Sequence, residues 1–334
     1  MNRIVINGRK EVAVPGGQSL FAALQGARVF LPSACGGRGA CGLCKVRVLE
    51  GAPAAFTPAE LKKLTEAERA DHVRLACQAP VARDMRLLIP AELLAVREFR
   101  AAVTALRDLT YDIKEVRLKL LDPPAIAFRA GQHIRLRVPP PERGGPLSER
   151  SFSIASDPAR QDEIELEIRL VPHGAGSTFV HRRLKVGDEL TLTGPCGRFY
   201  LADTDRDILF IAGGSGMAPI KSILAEMARA RNPRRTRYFF GAKSGRDLFL
   251  VEEMRALERA LPDFRFIPAL SEPLPGDGWS GERGLVTEVL DRLGGDCARD
   301  EAYLCGSPLM IDACIAVLKR KGVEESRIAY DRFG

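Results

Sequence analysis

No apolar run in these 334 residues approaches the length of a membrane span, and the first residues carry no signal-peptide pattern. The expectation is a soluble, cytoplasmic chain whose first strand starts at Met1-Asn2-Arg3-Ile4-Val5-Ile6. There is no internal repeat and no low-complexity tract, which argues against a solenoid or a disordered tail. A basic, aromatic-interleaved run is missing, as is any nucleic-acid motif, so nucleic acid is not an expected partner. Histidine is scarce, at four residues. His133 and His173 read as structural or surface groups, and His72 and His181 carry no signal. No acid–base pair stands out.

The length suits two or three domains. The net charge of +7 is unevenly spread. Residues 1–95 hold 13 Lys and Arg against 8 Asp and Glu, residues 96–205 hold 17 against 16, and residues 206–334 hold 20 against 19. Only the first third is appreciably basic. That is either a plain solvated surface or the complement of an acidic docking face on a partner.

Eight cysteines are present, and four of them form a pattern. Cys35, Cys41 and Cys44 crowd into the glycine-dense run Cys35-Gly36-Gly37-Arg38-Gly39-Ala40-Cys41-Gly42-Leu43-Cys44, and Cys77 follows downstream. Four thiolates in this order suit an iron–sulfur cluster, with glycines letting backbone N–H groups pass close to the sulfides. Zinc usually takes two C-x-x-C knuckles, and only Cys41 and Cys44 form one. Disulfides would imply export, and free core cysteines are the remaining alternative. Five residues separate Cys35 from Cys41, one more than the plant-type spacing.

Residues 1–6 and 11–14 flank the hairpin signal Asn7-Gly8. Residues 19–25 read as a capped helix, 45–49 as a strand leaving the cysteine loop, Thr57-Pro58-Ala59-Glu60 as a helix start, and 85–89 as a closing strand. A small sheet gripping a helix fits this order. Residues 90–99 read as a linker. Short strands follow at 100–106, 114–121, 133–138, 151–155, 164–171 and 189–193, closely spaced as in a barrel, with a surface loop at 139–146. From Asp207 strands (208–212, 237–240, 264–269, 302–304) alternate with helices (219–231, 250–260, 285–293, 308–321). This predicts a parallel sheet covered on both faces.

Three clusters in the middle third carry chemistry. Arg150-Ser151-Phe152-Ser153 offers a cation and two hydroxyls to a pyrophosphate and a polar ring edge. Gly174-Ala175-Gly176-Ser177-Thr178 opens a helix whose N-terminal amides suit phosphate. Gly194-Pro195-Cys196-Gly197-Arg198-Phe199 closes the barrel. Each alone also reads as a plain turn, but their order ahead of a nucleotide-type domain argues against accident. Gly213-Gly214-Ser215-Gly216-Met217-Ala218-Pro219 then joins an apolar strand to a helix, a turn that a diphosphate can approach. It departs from G-x-G-x-x-G, with Pro219 in place of the third glycine. Cys305-Gly306-Ser307-Pro308 repeats this logic at a later strand end. Cys305 either faces a nicotinamide there or is a small buried hydrophobe.

The cysteine run and these glycine clusters carry a family resemblance. Residues 1–90 resemble a [2Fe–2S] ferredoxin domain, and residues 98–334 resemble the ferredoxin–NADP reductase superfamily. The order ferredoxin, flavin, nucleotide is similar to that of reductase components of bacterial oxygenases. Leu31-Pro32-Ser33-Ala34-Cys35-Gly36-Gly37, Arg74-Leu75-Ala76-Cys77-Gln78, Gly213 to Pro219, Phe240-Gly241-Ala242-Lys243-Ser244 and Asp331-Arg332-Phe333-Gly334 resemble the F subunits of the Na+-translocating NADH:quinone oxidoreductases. The five-residue cysteine spacing matches them too. Those subunits begin with a membrane helix, absent here, which argues against membership of the sodium pump. The loop before Arg150 is shorter than its counterpart. Phe152 stands where the family usually has Tyr, which keeps stacking but not a phenolic hydrogen bond.

The resemblance implies an α+β ferredoxin (β-grasp) domain over residues 1–92, an antiparallel β-barrel FAD domain over 98–205 and an α/β parallel-sheet NAD domain over 206–334. It implies Cys35, Cys41, Cys44 and Cys77 as cluster ligands. Arg150 is implied on the FAD pyrophosphate, Ser153 near the flavin N5, and Phe152 against the flavin, with Ser151 between them. Gly176, Ser177 and Thr178 are implied on phosphate. Gly213, Gly214, Gly216, Met217, Pro219, Cys305 and Gly306 are implied around the nicotinamide nucleotide, with Phe333 covering the flavin ring until nicotinamide displaces it. Ser153, Cys305 and Phe333 are thus the groups nearest hydride transfer, which needs close ring stacking and no acid–base pair. Lys243, Ser244 and Arg246 suit the 2′-phosphate of NADPH and Asp247 opposes it. The segment Gly241 to Phe249 resembles NADH users, so NADH is expected over NADPH. The implied activity passes electrons from NADH through FAD and the [2Fe–2S] cluster to a separate protein acceptor, such as an oxygenase or other metalloenzyme, docking at the basic ferredoxin domain. The alternative is a soluble electron-input component of a larger respiratory or metabolic complex. A ferredoxin-type carrier with a vestigial reductase is disfavoured by the intact nucleotide motifs.

Overall fold

The computed structural model describes every residue except 34, 54, 141–147, 277 and 334. The chain divides into two units, Met1–Glu98 and Phe99–Gly334.

The first unit runs β1 (Asn2–Ile6), β2 (Lys10–Val14), α1 (Leu20–Gly26), β3 (Lys45–Glu50), α2 (Pro58–Lys63), α3 (Glu66–Ala70), β4 (Val73–Leu75), β5 (Met85–Leu88) and α4 (Ala91–Leu94). Asn7 and Gly8 both have positive φ, as the central pair of a type I′ turn requires, and with Arg9 they make the three-residue link between β1 and β2. The sheet has the order β2-β1-β5-β3-β4, with β1 and β5 parallel. Ser19 caps α1 through the Ala22 amide, and Leu20, Ala23 and Leu24 bury that helix against Ile4, Ile6, Leu75, Met85 and Leu87. Each such side chain contributes about 1.5–3 kcal/mol relative to exposure. The helices α2 and α3 open on capping boxes, Thr57 with Glu60 and Thr65 with Glu68. The expected linker at 90–99 is partly ordered structure: it holds α4 and the start of the next strand.

The second unit begins with β6 (Arg97–Asp108, whose first two residues lie before the division), β7 (Ile113–Asp122), β8 (His133–Val138), β9 (Ser148–Ser153), β10 (Glu163–Arg169), α5 (Ala175–Arg182) and β11 (Glu189–Cys196). These strands form a curled antiparallel sheet of order β10-β7-β6-β11-β8-β9. Just past β9, Ile154 bridges to Leu166 of β10, so the two edges approach each other. Phe179, Val180 and Leu184, of and just after α5, pack into the core of this sheet. Most of the loop expected at 139–146 lies outside the described residues.

The remainder runs β12 (Ile208–Gly213), α6 (Met217–Arg229), β13 (Thr236–Ala242), α7 (Val251–Ala260), β14 (Phe264–Leu270), β15 (Glu282–Arg283), α8 (Val286–Leu293), β16 (Glu301–Gly306), α9 (Pro308–Arg320) and β17 (Ile328–Arg332). All six strands are parallel, in the order β15-β14-β13-β12-β16-β17. Because side chains alternate along a strand, Phe210, Tyr238 and Phe240 face α6 and α7, while Leu209, Ile211 and Phe239 face α8 and α9. Ile113 of β7, with Ala130 just before β8 and Phe199 just after β11, joins the first of these cores. The two sheets of this unit therefore share buried apolar surface.

Candidate functional site

The cysteine loop is assembled by pairing between β3 and β4. Lys45 is in register with Leu75, and the Ala76 amide bonds the Cys44 carbonyl at 2.9 Å. This brings Cys77 beside Cys44, with their Sγ atoms 3.4 Å apart. Two thiolates about 2.3 Å from one tetrahedral metal sit roughly 3.7 Å apart, so this pair fits two ligands of one iron. The Cys35 and Cys41 side chains are likewise in contact. Among the described residues no trio of His, Cys, Asp or Glu converges on a single point; the thiols come two by two. That suits a binuclear cluster better than one tetrahedral ion.

Electrostatics in the loop favour sulfur anions. Burial opposes ionisation of Cys35, but the amides of Cys41, Ala40 and Arg38, with the Cys41 thiol, outweigh it and bring Cys35 down to about 6. Burial pushes Cys44 up to about 12, so its ionisation would need the charge of a metal. Gly37 has φ +85°, and a Cβ there would stand 3.1 Å from Phe21 Cδ1. The loop is braced from behind by a buried ion pair: Arg74 grips both oxygens of Glu60 at 2.8 Å and the carbonyls of Pro53 and Ala55. Burial works against the Glu60 charge, yet Arg74 and the amides of Thr57 and Leu75 hold its carboxyl below the usual range.

In the second unit β9 carries the expected flavin residues. Register with β8 puts Arg150 opposite Leu136 and Phe152 opposite Ile134, while Ser151 and Ser153 alternate to the other face. Arg150 is exposed and donates to the Glu149 carbonyl at 2.8 Å; Ser153 is buried. Gly176, at the start of α5, lies directly against this strand. A Cβ there would meet Arg150 Cγ at 2.7 Å and Phe152 Cζ at 3.5 Å. The structure thus brings Arg150, Phe152 and Gly176 together across 26 residues of sequence. The Ser177 hydroxyl is occupied by Val171 and Gly174 of its own loop, and the Thr178 amide by Gly174. Only the backbone of the helix start is left to face a phosphate, together with the Thr178 side chain.

The sheet order reverses at β12, whose sequence successor β13 lies on one side and β16 on the other. This switch point is where parallel sheets open a crevice at their carboxyl ends. Gly213 ends β12 and Gly306 ends β16, and a Cβ on Gly306 would lie 3.5 Å from the Gly213 backbone. A side chain at Gly216 would collide with the Cys305 carbonyl. Met217 and Pro219 turn inward, and Met217 Sδ accepts from the Tyr238 hydroxyl at 3.3 Å. Cys305 is fully buried in the core, where burial and then the Asp331 charge raise its thiol well above the usual value. Phe333 follows β17 and is tied to the crevice by its amide on the Gly306 carbonyl at 2.9 Å.

Two groups at the crevice had no signal in their own segments. Arg169, at the end of β10, is held by Asp112 at 2.7 Å, and its Nη1 lies 3.3 Å from where a Cβ of Gly214 would sit. Tyr111, in the turn between β6 and β7, donates to Asp247 at 2.8 Å and lies under the Arg246 guanidinium at 4.7 Å. Asp247 also accepts from the Ser244 amide and hydroxyl, and Lys243 pairs with Glu272 at 3.3 Å.

Fold and site define an NAD(P)H-dependent flavin and iron–sulfur oxidoreductase. Residues 4–82 match the 2Fe-2S iron-sulfur cluster binding domain, 100–200 the oxidoreductase FAD-binding domain and 210–315 the oxidoreductase NAD-binding domain. The chain is 34% identical to the F subunit of the Na(+)-translocating NADH-quinone reductase of Neisseria meningitidis, over 99% of this chain and 91% of that one. The corresponding Methylococcus capsulatus protein is equally similar over the same shares. The chain belongs to the family of these F subunits. Among solved structures, the Amycolatopsis cytochrome P450 reductase GcoB superposes with a TM-score of 0.78 at 28% identity, covering 100% of this chain and 99% of that one. A ferredoxin reductase of carbazole 1,9a-dioxygenase gives 0.71 at 27%, covering 100% and 98%. The cofactors are a [2Fe–2S] cluster, FAD and NADH. No helix among the described residues is long and apolar enough to cross a membrane.

Proposed function

We propose that the chain is an NADH-dependent reductase that delivers electrons, through its FAD and [2Fe–2S] centres, to a separate protein acceptor docking at the ferredoxin unit. Bound FAD would supply a two-electron hydride acceptor able to hand electrons on singly, as a one-electron [2Fe–2S] carrier requires. The observation that carries the reading is the pairing of Cys35 with Cys41 and Cys44 with Cys77 in a chain that also has a glycine-lined crevice at its sheet switch point.

In this reading Cys35, Cys41, Cys44 and Cys77 hold the cluster. Arg150 holds the FAD pyrophosphate, while Phe152 and Ser153 border the flavin. The backbone at Gly176, Ser177 and Thr178 faces phosphate. Gly213, Gly214 and Gly216 admit the NADH diphosphate, with Arg169 as the nearest cation. Phe333 covers the ring. Cys305, Gly306, Met217 and Pro219 shape the crevice from beneath, and Lys243 and Arg246 border the adenosine end. The domains span residues 1–92, 98–205 and 206–334, with the curled sheet closing as a barrel through Ile154 and Leu166. Cytoplasmic placement agrees with the four thiols outside the cluster loop, Cys196, Cys297, Cys305 and Cys314, standing without disulfides.

A standing component of a larger complex is the second reading, favoured by the identity to the sodium-pump relatives. The transient acceptor is favoured by the two oxygenase and P450 reductases of full coverage. Anaerobic stopped-flow mixing with NADH tests the electron path. The flavin band should bleach first and the cluster bands after it. A cluster that stays oxidised while the flavin turns over would sink the proposal. Co-purification of the native chain in a stable assembly would select the second reading.

A further inference from the structure

The ferredoxin unit has surplus positive charge, and its ion pairs decide where that surplus lies. Among the described residues, every carboxylate of residues 1–95 except Glu92 stands within 4.0 Å of an Arg or Lys. The excess therefore falls on cations without a carboxylate partner. Two of these, Arg38 and Lys63, border the cysteine loop, and Lys62 precedes Lys63 in the last turn of α2. Arg38 lies within the loop, exposed, with Nε donating to the Cys35 carbonyl at 2.9 Å. Lys62 and Lys63, both exposed, end α2. The Lys63 stem lies over Gly42, its Cβ 3.2 Å from where a Cβ on that glycine would sit, so the head is free to reach solvent. No acidic residue occurs from Ser33 to Lys45. Leu43, between two ligand cysteines, is 50% exposed and supplies an apolar centre.

We propose that Arg38, Lys62 and Lys63 around Leu43 form the docking face for the electron acceptor, and that this acceptor is an acidic redox protein presenting carboxylates around an apolar contact. The proposal rests on the reading above, in which electrons leave through the cluster. A four-thiolate cluster is itself anionic and would repel such a partner. Three cations offset that negative charge. Charges placed at a rim act on encounter and orientation more than on residence, as a partner that must leave after each electron requires. Leu43 excludes water where the two centres come nearest.

The test uses the holoprotein with two acceptors: cytochrome b5, whose haem edge is acidic, and cytochrome c, whose haem edge is basic. Each NADH reduces two haem irons from ferric to ferrous and leaves NAD+ and one proton. For cytochrome b5, kcat/KM should fall steeply as salt shortens the Debye length below about 10 Å. The double variant Lys62→Glu/Lys63→Glu should lower it by roughly tenfold at low salt and raise the value for cytochrome c. The neutral pair Lys62→Gln/Lys63→Gln should give a smaller loss in the same direction, which guards against a folding defect. The rate of cluster bleaching by NADH should stay as in the parent. Cytochrome b5 reduction indifferent to salt and to both double variants overturns the proposal, as does an equal loss with both cytochromes. A parent chain whose cluster never bleaches with NADH overturns instead the electron path beneath it.

Discussion

Cys77 is held beside Cys44 by backbone hydrogen bonds that its neighbours make, so a change of its side chain should leave the loop standing. Cys77→Ser should therefore lose the cluster's visible bands while NADH still reduces the flavin, because the hydride site lies in the other unit. Cys297 and Cys314 are buried and far from the cluster loop in sequence, and their replacement by Ala should spare both signals. An intact cluster spectrum in Cys77→Ser would remove the fourth ligand. Arg150 is exposed with a single bond to a neighbouring carbonyl, which leaves most of its guanidinium donors free. Arg150→Ala should weaken FAD binding by roughly 1.5–3 kcal/mol, the worth of a charge-assisted contact, read as flavin retention on dialysis. Undiminished retention would mean that the side chain points to solvent.

At the scale of elements, the contact between β10 and α6 buries an unusual carboxyl group. Glu167 is completely buried and neither carboxylate oxygen has a hydrogen bond. Lys221 of α6 stands 3.7 Å away but is shared with Glu165 and with Glu253 at 3.3 Å. Burial raises Glu167 to about 8; Lys221 pulls it down, and Glu165, Glu253 and Glu115 push it up again. The sign follows from proton counting. Between an unfolded value near 4.5 and about 8 the folded state keeps a proton that the unfolded state has lost. Its favourable contribution is complete below the unfolded value and is lost as pH rises through the folded one. Glu167→Gln keeps a neutral side chain at every pH. The variant should gain on the parent by on the order of 2–4 kcal/mol between pH 5 and pH 8.5, measured by denaturant midpoint. Parallel stability curves would place the titration elsewhere.

For the whole molecule, the distribution of buried surface sets how it comes apart. One apolar core is confined to the first unit. In the second, a single core takes Ile113 of β7 and the flanking residues Ala130 and Phe199 together with residues of the parallel sheet. Lys221 and Ser222 of α6 also bond Glu165 and Ser156 across that junction. The flavin and nucleotide halves should therefore unfold together and the ferredoxin unit apart from them. Thermal scans should give one midpoint for loss of cluster absorbance and another for release of flavin fluorescence. A single coincident transition at every pH would contradict two independent cores.

Much of this was legible in the chain because it is local chemistry. Thiol spacing, strand alternation, capping boxes and glycines at strand ends act over a few residues, so the four cysteines, the phosphate-type loops and the alternation of strands with helices stood out directly. The edge strands β4, β15 and β17 and the helices α3 and α4 were missed: β4, β15, α3 and α4 are too short for periodicity to register, and β17 (Ile328-Ala329-Tyr330-Asp331-Arg332) shows no apolar–polar alternation; the Thr65–Glu68 box was the one signal for α3. The supposed linker became α4 and the start of β6, with Pro90 in place at the head of α4. What only the tertiary structure decided are contacts between distant segments. Sheet order brings Cys77 to Cys44, carries Arg169 to Gly214, lays Tyr111 against Arg246 and Asp247, and buries Glu167 without a hydrogen bond. A side chain's type can be read from the sequence, but its charge state and its partner depend on which surface the fold sets against it.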